Sequence, residues 1–267
     1  MVSQTIPLPN IRKMFVPDPG YEIAEADLSG AEAQVVAWEA GDENLKAAFR
    51  AGVNIHIKNA RDVFPEVVRG WSDEAIKATS YPGGIYYTCK RCVHATHNGG
   101  TPNGLAHQIG IPVNDASNFQ RIWFGLHPGI LSYKGRVNDQ LMGLWEWPDG
   151  VRRSRVVYNA FGYRIHFFDR IKALLPKGLA WIPQSTVGIT TVIGATKLHK
   201  TIDWVEILLQ CHDSLVFQYP IAMSTTMNLA KIKAALEVEV PFDDPLTIPW
   251  GLKTSRVSWG DCSTRVW

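Results

Sequence analysis

Apolar and polar positions change their period along the chain, and the changes mark its elements. At 207–220, ILLQCHDSLVFQYP, two apolar runs at 207–210 and 215–219 flank the polar residues Cys211, His212, Asp213 and Ser214. That pattern predicts a β-hairpin. A strand is predicted at 21–26. It is followed by a helix over about 30–40, where Ala31, Val35, Val36 and Trp38 recur at helical spacing. Gly41, Asp42, Glu43 and Asn44 open another helix. Helical stretches follow from Asn54, at 72–79, at 85–97 before Gly99 and Gly100, from Thr101 and Pro102, at 117–124 and at 129–144. Tyr81, Pro82, Gly83 and Gly84 break this series, and Pro148, Asp149 and Gly150 form a turn. The remainder predicts a hairpin (152–158 with 163–168), a long helix at about 183–201, an amphipathic helix at 223–236 and an extended tail at 246–259. The Pro-rich first 20 residues hold a short predicted strand at 11–15. Strand-rich ends thus bracket a helical middle, which is an α+β arrangement.

Composition changes this picture little. In 267 residues, 46% hydrophobic and 10% aromatic, there is material for one large or two modest domains with a packed core. The net charge of +2 neither demands nor excludes nucleic acid, because a local basic cleft is invisible in a whole-chain sum. MVSQTIPLPN lacks a signal pattern, and no apolar run approaches the ~18 residues of a membrane span. A cytoplasmic protein with no membrane contact is expected. Cys89 and Cys92 form C-x-x-C without a second close pair at Cys211 or Cys262, so the cysteines are read as reduced thiols.

Two carboxylates carry the chemistry. Asp213 lies at a hairpin tip between strands too apolar to be exposed, so its side chain is held rigidly. A fixed carboxylate suits a hard divalent cation, although an Asp can simply close a turn. Asp27 follows the strand at 21–26. Ser29 and Glu32 fit a capping box and so have a structural explanation, whereas Asp27 has none so simple. A strand-end carboxylate beside a hairpin-tip carboxylate can hold two cations for phosphoryl transfer.

DLSGAEAQVVA and QCHDSLVFQ resemble motifs A and C of the family A DNA polymerases. KRCVHATHNGGTPNGLA, between them, resembles motif B, the nucleotide-binding helix. The order is the family's. NIRKMFVPDPGYE, NIHIKNARDVF, IPQSTV and PWGLKTSRVSWG also resemble family segments, so the likeness covers nearly the whole chain. It implies a palm (1–45 and 148–267), an antiparallel sheet with helices, into which helical fingers (46–147) are inserted.

The resemblance implies template-directed DNA synthesis with two Mg²⁺ ions, for which Mn²⁺ can substitute. Asp27, Asp213 and the Leu28 carbonyl are the implied metal ligands. Lys90 is implied to face a phosphate, on the helix face it shares with positions 86 and 94; by helix geometry alone it is equally a solvated lysine. His56 is implied near the phosphates, His94 against the incoming base, and Glu32 against a ribose 2′-hydroxyl. Gln184 and His212 are implied near the primer terminus, where polar side chains meet minor-groove acceptors. Tyr86 stands where the family usually has a triphosphate-holding Arg. Arg91, about 100° round the helix from Lys90, is a substrate-binding candidate that does not share that face. Asn98 replaces the Tyr that usually ends this helix beside the template, and motif C has Ser214 after Asp213. Primer–template DNA and dNTPs are the implied partners. A second polypeptide supplying thumb and exonuclease is expected as well, because duplex affinity rests on phosphate contacts. Three other readings remain: a catalytically silent DNA-binding or assembly module, a single-subunit RNA polymerase, and a plain α+β scaffold whose motifs are accidental.

Overall fold

A computed structural model describes residues 10–168 and 170–267. In chain order its elements begin with β1 (Tyr21–Leu28), α1 (Ala31–Ala40), α2 (Glu43–Arg50), α3 (Ile55–Val63) and α4 (Asp73–Ala78). Next come α5 (Ile85–His97), α6 (Pro102–Ile109), α7 (Val113–Leu126) and α8 (Pro128–Met142). The hairpin strands β2 (Leu144–Trp147), β3 (Gly150–Arg153), β4 (Val156–Tyr158) and β5 (Arg164–His166) precede α9 (Ile171–Thr201). Then follow β6 (Glu206–Cys211), β7 (Ser214–Pro220), α10 (Thr226–Leu236), β8 (Glu239–Val240), β9 (Leu246–Thr247), β10 (Trp250–Ser255) and β11 (Ser263–Arg265). The mixture of helices with an antiparallel sheet is the expected α+β fold.

Local sequence explains five of the helix starts. The Asp42 side chain accepts from Leu45 N–H, Asn54 from His56 and Ile57, Ser72 from Ala75, Thr101 from Gly104, and Thr225 from Asn228. Each satisfies a donor the helix leaves unpaired. Pro102 sits in the first turn of α6, and Gly110 closes that helix at φ 78.

Packing divides the chain into two compact units, one of 1–31, 187–240 and 247–267, the other of 32–186 and 241–246. These boundaries differ from the 45/46 and 147/148 divisions drawn from the resemblance, and one of them falls inside α9. The first unit is built on a sheet ordered β11-β10-β1-β7-β6, antiparallel at every neighbouring pair. Residues 22–26 of β1 and 214–219 of β7 are buried, as central strands require. Ile23, Val216 and Trp259 form an apolar cluster on one face.

The second unit is largely helical. Trp123 of α7 is fully buried, with the rings of His97, Phe119 and His127 at 5.5, 6.2 and 4.2 Å. Asp42 is shared between two structures. Its Oδ1 accepts from Leu45 N–H at 3.0 Å, and His127 Nδ1 lies 3.1 Å from the same atom with both side chains 3% exposed. Gly129 stands against this joint, where a Cβ would lie 2.9 Å from the Ala40 carbonyl oxygen. Asp42→Ala removes a helix cap and strands a buried imidazole. It is expected to cost roughly 2–4 kcal/mol, read as a lower urea midpoint at constant slope.

Four expectations are corrected. Residues 11–15 do not form a strand: Ile11–Met14 is a 3-10 turn, because the Asn10 side chain accepts from Arg12 N–H and Phe15 N–H returns to the Arg12 carbonyl. The first nine residues lie outside the described part. The helix at 129–144 ends at Met142. The strand at 152–158 divides between two hairpins, β2–β3 and β4–β5. The helix expected from 183 starts at Ile171 and runs through Pro176 and Pro183. A proline costs an internal helix a hydrogen bond. Here Leu174, Leu179 and Ile182 are buried along the early turns, and Gly178 packs closely on Leu141 and Val137, so tertiary burial keeps the helix continuous.

The cysteines are free thiols. Burial pushes those of Cys89 and Cys92 up to about 12, so both are protonated, small apolar side chains.

Candidate active site

Asp27 and Asp213 meet at one end of adjacent strands. Asp27 of β1 stands opposite Ser214 of β7, and Leu28 N–H donates to the Asp213 carbonyl at 3.0 Å. The two acidic residues are therefore one step apart across a strand spacing of about 4.8 Å, although 186 positions separate them in sequence. Both are half-buried.

The hairpin that carries Asp213 is tight. Cys211 pairs with Ser214, leaving His212 and Asp213 as a two-residue loop. His212 sits at φ 54, whereas Asp213 has no positive φ. That combination matches a type II′ turn, where Gly is usual at the first position. A histidine there holds strain of order 1 kcal/mol. Ser214 Oγ donates to the Cys211 carbonyl at 3.1 Å, and Gln210 Nε2 to the His212 carbonyl at 3.3 Å. The buried run of β7 anchors the loop.

The surroundings of Asp27 are equally ordered. Its partner on β10 is Gly251, which has no side chain, and its partner on β7 is the small Ser214. Small residues therefore flank Asp27 on both neighbouring strands. The buried Glu25 shares this face two residues away. Arg12 at 3.3 Å and Lys253 at 3.6 Å neutralise it. Sequence reading missed both features. The Gly in PWGLK was a visible sign of the first, but the Arg12–Glu25–Lys253 group depends on the register that pairs Glu25 with Lys253 and on the packing of the 3-10 turn that carries Arg12.

The donor set of Asp27, Asp213 and the Leu28 carbonyl is all oxygen, which fits hard divalent cations. No group of three or more His, Cys, Asp or Glu among the described residues could hold a metal alone. Oxygens from a bound substrate and water would complete the shells of a two-carboxylate site.

The remaining expected residues belong to the second unit, His212 excepted, which is exposed in the hairpin loop. Glu32 lies in the first turn of α1, which begins one residue later than a Ser29 capping box requires because Gly30 is at φ 58. Its Oε2 is 3.6 Å from His94 Nδ1 on α5. Lys90 and His94 are exposed, Tyr86 and Arg91 half-buried. His56 packs edge-on against Tyr86 with ring centroids 5.6 Å apart. Burial, then the charges of Lys90 and His94, push the His56 imidazole down to about 4, so it is neutral at pH 7. Tyr86 has two anchors. Its hydroxyl accepts from Asn54 Nδ2 at 3.2 Å, and its N–H donates to Thr79 Oγ1 at 2.9 Å. Asn98 ends α5, its N–H bonded to the His94 and Thr96 carbonyls. Gln184 is exposed on α9. Among the described residues no helix is long and apolar enough to cross a membrane.

Comparison with known proteins gives the family and the fold. Among curated relatives, the thermostable DNA polymerase I of Thermus filiformis is 28% identical over 91% of this chain and 28% of its own length. The DNA polymerase of Mycobacterium phage D29 is 24% identical over 97% of this chain and 38% of its own length. The chain therefore spans less than half the length of either. A solved structure, the POL domain of Pol1 from M. smegmatis in complex with DNA primer-template and dNTP, shares the fold at a TM-score of 0.75. It is 21% identical, over 93% of this chain and 42% of its own. The model of DNA polymerase family A matches residues 3–146, just over half of the sequence. With its ordered motifs and this fold, the chain belongs to DNA polymerase family A.

Proposed function

We propose that this chain carries out template-directed DNA synthesis, joining a primer 3′-hydroxyl to the α-phosphorus of a dNTP and releasing pyrophosphate. The observation that carries the reading is the adjacency of Asp27 and Asp213 at the end of the β1–β7 ladder. When bound, a pair of divalent cations, Mg²⁺ in this reading, acidifies the hydroxyl and neutralises charge on the leaving phosphates. Asp27, Asp213 and the Leu28 carbonyl would hold that pair. Lys90 and the neutral His56 meet the triphosphate, with Arg91 as a further cation of the helix. His94 lies against the base, Glu32 excludes a 2′-hydroxyl, and Gln184, His212 and Asn98 contact primer and template. The Glu32–His94 approach, 3.6 Å, keeps the two residues assigned to the nucleotide's sugar and base side by side.

Tyr86 offers a neutral hydroxyl at the position where the resemblance places a cation. Tyr86→Arg is therefore expected to lower KM for dNTP by roughly 3–10-fold with kcat little changed, because a guanidinium bonds phosphate more strongly than a phenol does.

The proposal includes a second polypeptide that supplies thumb and exonuclease, and a cytoplasmic location. Primer extension with dNTPs or NTPs, with and without Mg²⁺, tests the activity. Metal-dependent dNTP incorporation is expected. Absence of incorporation, both alone and with the neighbouring gene's product, would overturn the reading. Processive synthesis by the lone chain would remove the second polypeptide from it.

A further inference from the structure

The α5 face that the polymerase reading gives to the nucleotide carries Tyr86, Lys90 and His94. Four residues separate each from the next, so they succeed one another about 6 Å apart along the axis. With the base against His94 and a phosphate against Lys90, the phosphate chain runs towards the start of the helix. Tyr86 then stands where a terminal phosphate ends.

That end of the face is built around a neutral group. The Tyr86 ring packs against the apolar cluster of Ile57, Ala60, Val68, Ile76 and Cys89, with the His56 ring edge-on at 5.6 Å. Asn54 Oδ1 accepts from the His56 and Ile57 N–H groups, which fixes its amide so that Nδ2 donates to the Tyr86 hydroxyl at 3.2 Å. The hydroxyl keeps one O–H to donate and carries no charge. His56 beside it is neutral at pH 7, held so by burial and by the charges of Lys90 and His94. The backbone is closed there as well. A helix start presents N–H groups that favour a phosphate. Here the Tyr86 N–H donates to Thr79 Oγ1 at 2.9 Å, and the Tyr87 N–H to the Thr79 carbonyl at 3.3 Å. Thr79 Oγ1 in turn donates to the Ile76 carbonyl at 2.6 Å, which holds it in place. At Tyr86, then, a terminal phosphate meets one phenol and two backbone amides that are already taken.

We propose that this pocket does not select for the third phosphate, and that deoxynucleoside diphosphates are bound and incorporated alongside triphosphates. The placement of the nucleotide on α5 rests on the polymerase reading. The loss of selection comes from the neutral, closed start of the helix. A cation facing the last phosphate rewards each added charge, whereas a neutral donor adds one ordinary hydrogen bond. With a diphosphate, the primer 3′-oxygen bonds to the α-phosphorus as the bond from that phosphorus to the bridging oxygen breaks. The bridging oxygen leaves with the electron pair as orthophosphate, and the hydroxyl proton passes to solvent.

The test is isothermal titration calorimetry of the full chain with dTTP and with dTDP in Mg²⁺, beside primer extension with each. The two wild-type dissociation constants are expected to agree within about 10-fold, and dTDP to extend the primer with release of orthophosphate. Tyr86→Arg should tighten dTTP by roughly 3–10-fold and leave dTDP within about 2-fold, because the guanidinium meets the terminal phosphate of the triphosphate alone. Three results would overturn the proposal: wild-type binding of dTDP weaker by more than about 10-fold, extension from dTTP with none from dTDP, or an equal gain for both nucleotides in Tyr86→Arg. The wild-type ratio needs no variant, so it decides even where the arginine prevents folding. Comparable binding of both nucleotides without extension from either removes the polymerase reading and leaves the loss of selection standing. Absence of binding for both removes the two together.

Discussion

Asp213→Asn is expected to reduce Mg²⁺-dependent primer extension by on the order of 10³-fold, and Asp27→Ala by at least as much. Each removes one of the two carboxylates of the proposed metal site, and the amide that replaces Asp213 carries no charge. Losing about 4 kcal/mol of charge stabilisation in the transition state corresponds to that factor. Folding should be nearly unaffected. Both side chains are half-buried at a sheet end, and the backbone bond from Leu28 N–H to the Asp213 carbonyl does not depend on either carboxylate. Equal melting curves with collapsed turnover is the expected pair of results. Retained turnover in Asp213→Asn would remove the metal-site reading.

Mild acid is expected to unfold the protein. Burial holds His97 at about 3, and burial with Lys90 and His94 nearby holds His56 at about 4. Both values lie below the ordinary ~6.5 of an unfolded histidine. As pH falls, the unfolded chain therefore takes up protons that the folded one refuses. The stability these residues confer is complete above about pH 6.5. It is lost between there and about pH 4 for His56 and about pH 3 for His97, and amounts to roughly a few kcal/mol each. Glu39 acts oppositely. Burial raises it to about 7, so its contribution falls as pH rises from 4.5 to about 7. Melting temperatures measured from pH 8 to 4 should fall steeply on the acid side. His97→Leu should flatten that limb, since the ring lies inside the Trp123 cluster and an apolar side chain there has nothing to protonate.

Much of the fold was readable along the chain. The caps at Asp42, Asn54, Ser72 and Thr101 and the turn at Asp213 are local events, decided by side chains that bond to the backbone a few residues away. Local rules failed where distant packing was stronger. The run of α9 through Pro176 and Pro183 is stabilised by burial of Leu174, Leu179 and Ile182, which no window around the prolines reveals. The β2–β3 hairpin lay hidden because LWEW continues the apolar spacing of the helix before it.

For the site, the letters alone supplied the candidates: two aspartates in ordered motifs, a lysine and two histidines proposed for the nucleotide, and a tyrosine where the resemblance expects an arginine. Those followed from residue chemistry and from resemblance, because a side chain's donors and charge are the same wherever it lies. Proximity was left to the tertiary structure. Only the antiparallel register of β1 between β7 and β10 sets Asp27 beside Asp213, puts Gly251 opposite, and turns Lys253 onto Glu25, which Arg12 also reaches from the 3-10 turn. Strand pairing joins residues some two hundred positions apart, and its register is selected by the burial of whole faces, to which every strand contributes.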